Sequence, residues 1–236
     1  MIVSIHQPAY LPWLGYLDRI AQSDTFIFLD MVQFEKNSFT NRNRIKTANG
    51  PLWLTVPVLS QGHIGKTLLD LKIDNRQDWK TRHLRSIEQN YRKAPFFAER
   101  FARFAALYDV VEDGLADFCF RQLRFWADEF ALSARILRAR DLAAAGSKSD
   151  LVVSLCHAVN ATEYLSGPQG RSYLDETTFA RAGIKVARPL LRNAKMTITT
   201  NSSVKPMVTW KSVKASRISL ARSPRVAKCT DGGSCA

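Results

Sequence analysis

The chain has 236 residues, 46% of them hydrophobic and 23% charged, with a formal net charge of +13. That length allows one large or two small domains with ample material for a core, and no apolar run reaches the roughly 20 residues needed to span a bilayer. The charge points toward nucleic acid or an anionic surface, but residues 187–236 hold ten Lys/Arg against one acid, Asp231, and contribute +9 of it. The excess belongs to the tail, so no specific nucleic-acid partner is expected of the rest.

In chain order, Ile2–Ile5 reads as a buried strand. A turn follows, then a helix near Leu14–Ala21, where Leu14, Leu17 and Ile20 have helical spacing. Thr25–Leu29 is a second strand ending in Asp30. A strand, a short crossover helix and a strand predict parallel pairing, with ligands bound beyond the carboxyl ends. Arg44–Thr47 and Leu52–Val58 read as two strands around the turn Asn49-Gly50-Pro51, and Leu68–Ile73 as another alternating run. From Asp78, a plausible N-cap, the chain turns helical: Trp79–Tyr91, Phe96–Tyr108, and a third helix from Asp113 or Gly114 to Phe130. A short strand at Ala134–Arg138, a helix at Leu151–Val159, a strand at Thr162–Leu165, a helix at Glu176–Ala182 and a strand at Ile184–Ala187 complete it. The expected class is α/β, a mostly parallel sheet with a strand–turn–helix N-terminal unit and a helical middle segment.

Residues 188–236 form a second region. The last 50 residues hold one aromatic, Trp210, against 23 in the rest of the chain. Rich in Ser, Thr and Lys and without sustained periodicity, they read as a disordered tail or a shifted reading frame. Cys119, Cys156, Cys229 and Cys235 form no CxxC pair, and His6, His63, His83 and His157 have no ligand spacing. Neither a disulfide framework nor a metal site is expected. The N-terminus lacks the basic region of a signal peptide, so the expected location is the cytoplasm.

The sharpest constellation is His6-Gln7-Pro8 after the first strand. His6 offers an acid/base group near neutral pH and Gln7 an amide donor for a carbonyl or oxyanion. Tyr10, Trp13 and Tyr16 offer faces for a sugar or base. Asp30 would lie at the neighbouring strand end. Lys36, Asn41, Arg42, Asn43 and Arg44 form a polar basic cluster suited to a diphosphate or carboxylate. His83 shares a helix face with Trp79 and is a secondary candidate. Gly146-Ser147-Lys148-Ser149 lacks the full phosphate-loop pattern, and ordinary capping by Ser147 or Ser149 explains it better. The Pro12–Tyr16 turn resembles in layout the strand–turn–helix of nucleotidyltransferase-like folds, with Trp13 and Tyr16 where their HxGH motif has histidines.

The block His6–Tyr16, with Ser23-Asp24, Leu29-Asp30, Val32-Gln33-Phe34, Lys36, Asn41-Arg42-Asn43, Trp53–Val58, Trp79, His83, Tyr91, Tyr164–Gly167, Gly170 and Tyr173–Asp175, resembles the WbqC-like family over about residues 1–187. The resemblance implies a bacterial protein of O-antigen or other surface-polysaccharide biosynthesis. It implies a transferase moving an acyl or aminoacyl group to a nucleotide-linked amino sugar, or a non-catalytic nucleotide-sugar binder. The family's aromatic ending is missing after about Val186. The sequence specifies neither a cofactor nor an oligomeric state.

Overall fold

Ile2–His6 (β1) lies at the centre of a five-stranded sheet in the computed structural model, which describes residues 1–59, 66–110, 112–167, 170 and 174–188. These lie within one unit, Met1–Arg192; the tail beyond residue 188, His63 and Tyr173 are outside the described residues. Thr25–Phe28 (β2) follows the helix Leu14–Ala21 (α1). The hairpin strands are Arg42–Thr47 (β3) and Gly50–Thr55 (β4), and the helical middle is Trp79–Tyr91 (α2), Phe97–Asp109 (α3) and Leu115–Glu129 (α4). Arg135–Arg138 (β5), Lys148–Ala158 (α5), Glu163–Leu165 (β6), Glu176–Arg181 (α6) and Lys185–Ala187 (β7) complete the fold.

The sheet order is β5-β2-β1-β6-β7, with every neighbour parallel. The β1–α1–β2 and β6–α6–β7 crossovers run in opposite directions along the sheet. Right-handed connections then require α1 and α6 on opposite faces. Packing agrees, because successive strand side chains alternate between faces. Phe26 and Phe28 join Tyr16, Leu17 and Ile20 of α1 and the middle helices in one core. Val3, Ile5 and Ile27 meet Leu155 of α5 and Phe179 of α6 in the other. The reversal falls between β1 and β6, the topological switch point where α/β sheets bind ligands.

The hairpin is antiparallel and begins two residues earlier than the sequence suggested, with Arg44 opposite Trp53. Gly50, at φ 106°, supplies the left-handed turn residue. The Leu68–Ile73 run is not a strand. Asp70 accepts from the Thr67 N–H at 3.0 Å and its hydroxyl at 2.8 Å, winding Leu68–Asp70 into one 3₁₀ turn. Ser147 and Ser149 do not cap α5 with their side chains. The Ser149 hydroxyl instead accepts the Asp175 N–H at 3.0 Å, tying α5 to the loop before α6. No helix among the described residues is long and apolar enough to cross a membrane.

Asp30, just past β2, is fully buried. It accepts Arg138 Nε at 2.7 Å and the Arg140 N–H at 3.3 Å, while Arg138 also reaches Asp117 and lies over Phe120. The carboxylate expected to meet substrate therefore closes an internal ion pair between β2 and β5. Removing one member of such a pair strands the other charge. Asp30→Ala should lower unfolding stability by about 3 kcal/mol, seen as a reduced urea midpoint at constant m-value.

Candidate functional site

Between β1 and α1 the chain makes a tight excursion that other elements brace. Pro8 biases Gln7 toward extended backbone and ends the strand. Leu11 sits at φ 47°, an unfavourable left-handed conformation for a branched side chain. Its surroundings impose it. The Leu11 N–H donates to Gln122 Oε1 on α4 at 3.1 Å, and Asn43 Nδ2 on β3 donates to the Leu11 carbonyl at 2.6 Å and the Tyr10 carbonyl at 3.3 Å. The Tyr10 N–H donates to the Phe39 carbonyl at 3.1 Å.

This bracing aims His6. Its Nδ1 lies 2.8 Å from the Gln7 carbonyl, which also accepts the Tyr16 hydroxyl at 3.1 Å. A carbonyl only accepts, so Nδ1 carries the proton and Nε2 presents a lone pair. The ring meets Tyr16 and Trp13 edge-on, with centroids 4.7 and 5.6 Å apart. Burial and then the Arg19 cation push the His6 pKa down to about 3, partly offset by the Gln7 bond. His6 is therefore neutral at pH 7. It is an acceptor, not the near-neutral titrating group expected from residue type.

Arg19, on α1 and only 4% exposed, completes this end. The β1–β6 register pairs Val3 with Tyr164; continued along both strands, it sets Gly167 level with His6. A Cβ on Gly167 would fall 2.5 Å from Arg19 Nη1, so glycine allows the guanidinium to lie close over the β6 end. His6 and Arg19 thus share the switch point.

Tyr10 and His83 are interior. The Tyr10 hydroxyl lies 2.7 Å from His83 Nδ1 and 2.7 Å from the Tyr108 hydroxyl, which accepts Gln122 Nε2 at 3.4 Å. Burial pushes the Tyr10 hydroxyl upward. It also takes His83 down to about 4, helped by Arg82 and opposed by a hydrogen bond with the Thr55 backbone. Tyr16 is likewise buried beneath His6. Asn41 donates to the Val56 carbonyl at 3.0 Å, and Asn43 braces the turn, so both asparagines fix backbone. Lys36 is exposed in the turn before Asn37. Gln7 is half-buried and acts on His6 through its backbone carbonyl.

Both arginines of the basic cluster lie on β3, which takes in Arg42 as well as the expected Arg44. Arg42 and Arg44 stand over Trp53 at 4.5 and 5.1 Å. Phe39 joins Trp53 to Trp13, at 5.9 and 5.5 Å. Trp13, Phe39, Trp53 and Arg44 are thus exposed, while Arg42 and His6 lie half-buried against them. Sequence alone names none of Phe39, Arg19, Gln122, Gly167 and Trp53 as a site residue. A charged Arg19 beside the apolar Tyr16 and Ile20 is the one local signal of an unusual role. No three His, Cys, Asp or Glu side chains converge as a metal site among the described residues.

The model of the WbqC-like protein family matches residues 7–189, from directly after β1 and His6 to just past β7. The chain belongs to this family. A relative, uncharacterized protein Rv1507c of Mycobacterium tuberculosis (strain ATCC 25618 / H37Rv), is 38% identical over 185 residues, covering 78% of this chain and 80% of the relative. No solved structure matches. The WbqC-like match encloses the turn, the hairpin and Gly167, so the architecture around His6 lies almost wholly in family sequence.

His83 binds its proton on unfolding, because its pKa is about 4 folded against 6.5 for the free side chain. Stability present above pH 6.5 is therefore lost as pH falls toward 4, at up to about 1.4 kcal/mol per pH unit for each such histidine. His6 acts in the same direction. Urea midpoints measured from pH 7.5 to 4.5 should fall with acidification, and His83→Gln should flatten that slope.

Proposed function

We propose that this WbqC-like protein is a transferase of surface-polysaccharide biosynthesis, placing an acyl or aminoacyl group on the amine of a nucleotide-linked amino sugar. The observation that supports this best is the fixed His6 tautomer, which makes Nε2 an acceptor at the sheet's switch point near Arg19 and an aromatic wall. As the amine nitrogen attacks the acyl carbon, a C–N bond forms and the bond to the leaving group breaks. The proton lost by nitrogen passes to Nε2. Its basicity is low because burial and Arg19 both oppose a second positive charge. An anionic group of the substrate close to the imidazole raises the His6 pKa.

A second reading, a nucleotide-sugar binder without turnover, draws on that same low basicity. The two separate in one assay: purified protein with UDP- or dTDP-linked amino sugars and acyl or aminoacyl thioester donors, with products weighed by mass spectrometry. His6→Gln keeps a polar side chain without an imidazole base. It should lower turnover about 100-fold or more while leaving sugar-nucleotide affinity within a few fold. Turnover unchanged in that variant removes His6 from the chemistry; binding with no turnover in the wild type supports the binder.

A further inference from the structure

We propose that the outer face of the β3–β4 hairpin is the nucleotide end of this site, with the base stacked on Phe39 and the diphosphate held by Arg42 and Arg44 beside Trp53. This rests on the transferase reading and deepens it by placing the nucleotide of its substrate at the hairpin. Strand alternation separates two roles in β3. Asn43 and Ile45 point inward and are buried, while Arg42, Arg44 and Lys46 fall on the opposite face. Arg44 is directly across from Trp53, and Arg42 is on its diagonal.

Three large aromatics in contact with one another stay at the surface: Trp13 is 40% exposed, Phe39 43% and Trp53 43%. Single exposed apolar side chains are ordinary, whereas a contiguous group marks a binding surface. The cations show what kind. Each guanidinium lies against the Trp53 ring through a cation–π contact that uses none of its N–H groups as donors to oxygen. Arg42 is anchored by an Nη2 bond of 2.7 Å to the Asn37 carbonyl. Among the described residues neither arginine pairs with a carboxylate, whereas Arg76, Arg100, Arg121 and Arg138 all do.

A complementary ligand has a flat face beside a compact double anion, which is the chemistry of a nucleoside diphosphate. Inorganic phosphate leaves the rings unused, and a neutral glycan leaves the arginines unused. Ring contacts of 5.9 Å from Trp53 to Phe39, 5.5 Å to Trp13 and 5.6 Å to His6 carry the surface to the imidazole, giving a track for an elongated ligand. Stacking tolerates any base, so the platform reads the nucleoside diphosphate as a class and the sugar end carries selectivity.

Calorimetric titration with UDP and dTDP tests this in the full chain. Trp53→Ala and Arg44→Gln, both on the exposed hairpin face and checked for unchanged circular dichroism, should each weaken binding at least about tenfold, or about 1.4 kcal/mol. Arg124→Gln, an exposed charge on α4, should change it less than twofold. Wild-type affinity in both hairpin variants, with transfer intact, overturns the hairpin assignment and leaves the transferase reading standing. Failure of the wild type to bind either nucleotide, together with absent turnover, sinks both. Binding of a short single-stranded DNA more tightly than UDP, lost in the same variants, overturns the proposal in favour of nucleic acid.

Discussion

One buried chain of hydrogen bonds ties the elements around the site together. Gln122 on α4 donates to the Tyr108 hydroxyl on α3, and Tyr10 bridges Tyr108 to His83 on α2. His83 in turn bonds the Thr55 backbone of β4. With that last bond donated by the remaining ring nitrogen, every hydroxyl has one direction: Tyr108 donates to Tyr10, and Tyr10 to His83 Nδ1. The carbonyl of the Gln122 side chain is then left for the Leu11 N–H. In a water-poor interior an unmatched member costs about 1–3 kcal/mol, so three helices, the hairpin and the turn hold a common arrangement.

That network separates bracing from presentation. Tyr10, His83, Asn41, Asn43 and Asp30 lie inside and fix backbone or join layers. Trp13 and Arg44 are exposed and His6 and Arg42 half-buried, joined by Phe39 and Trp53. A loop that must present an imidazole at a fixed angle gains from such support, because binding then costs little further ordering. Leu11's left-handed backbone is one local cost of that rigidity, and it is held from three directions.

The His6 environment inverts the usual reading of a histidine in a site. Burial and Arg19 keep it neutral, so its tautomer matters more than its titration. The Gln7 carbonyl sets that tautomer, and the same carbonyl holds Tyr16 beneath the ring. Arg19 lowers the His6 pKa and lies close over the β6 end. Membership of the WbqC-like family places this arrangement in a wider group of chains, and its chemistry is what the site itself argues for.

Local sequence determined much of the architecture. The apolar runs, the helical spacing of Leu14, Leu17 and Ile20, and the alternation of strands with helices specified a parallel α/β sheet with β1 and β2 adjacent, because periodicity and short connections are local properties. The His6-Gln7-Pro8 strand end was legible for the same reason. Sequence could not tell which polar residues face inward: Tyr10 and Trp13 look alike in a turn, yet one is fully buried and the other 40% exposed. That distinction depends on α3 and α4, whose Tyr108 and Gln122 lie about a hundred residues away. The Arg42–Trp53 stack likewise required the hairpin register, and Gly167 beneath Arg19 required β6 to lie beside β1. Long-range pairing alone decides such contacts, so only the tertiary structure could turn a list of polar and aromatic residues into an oriented site.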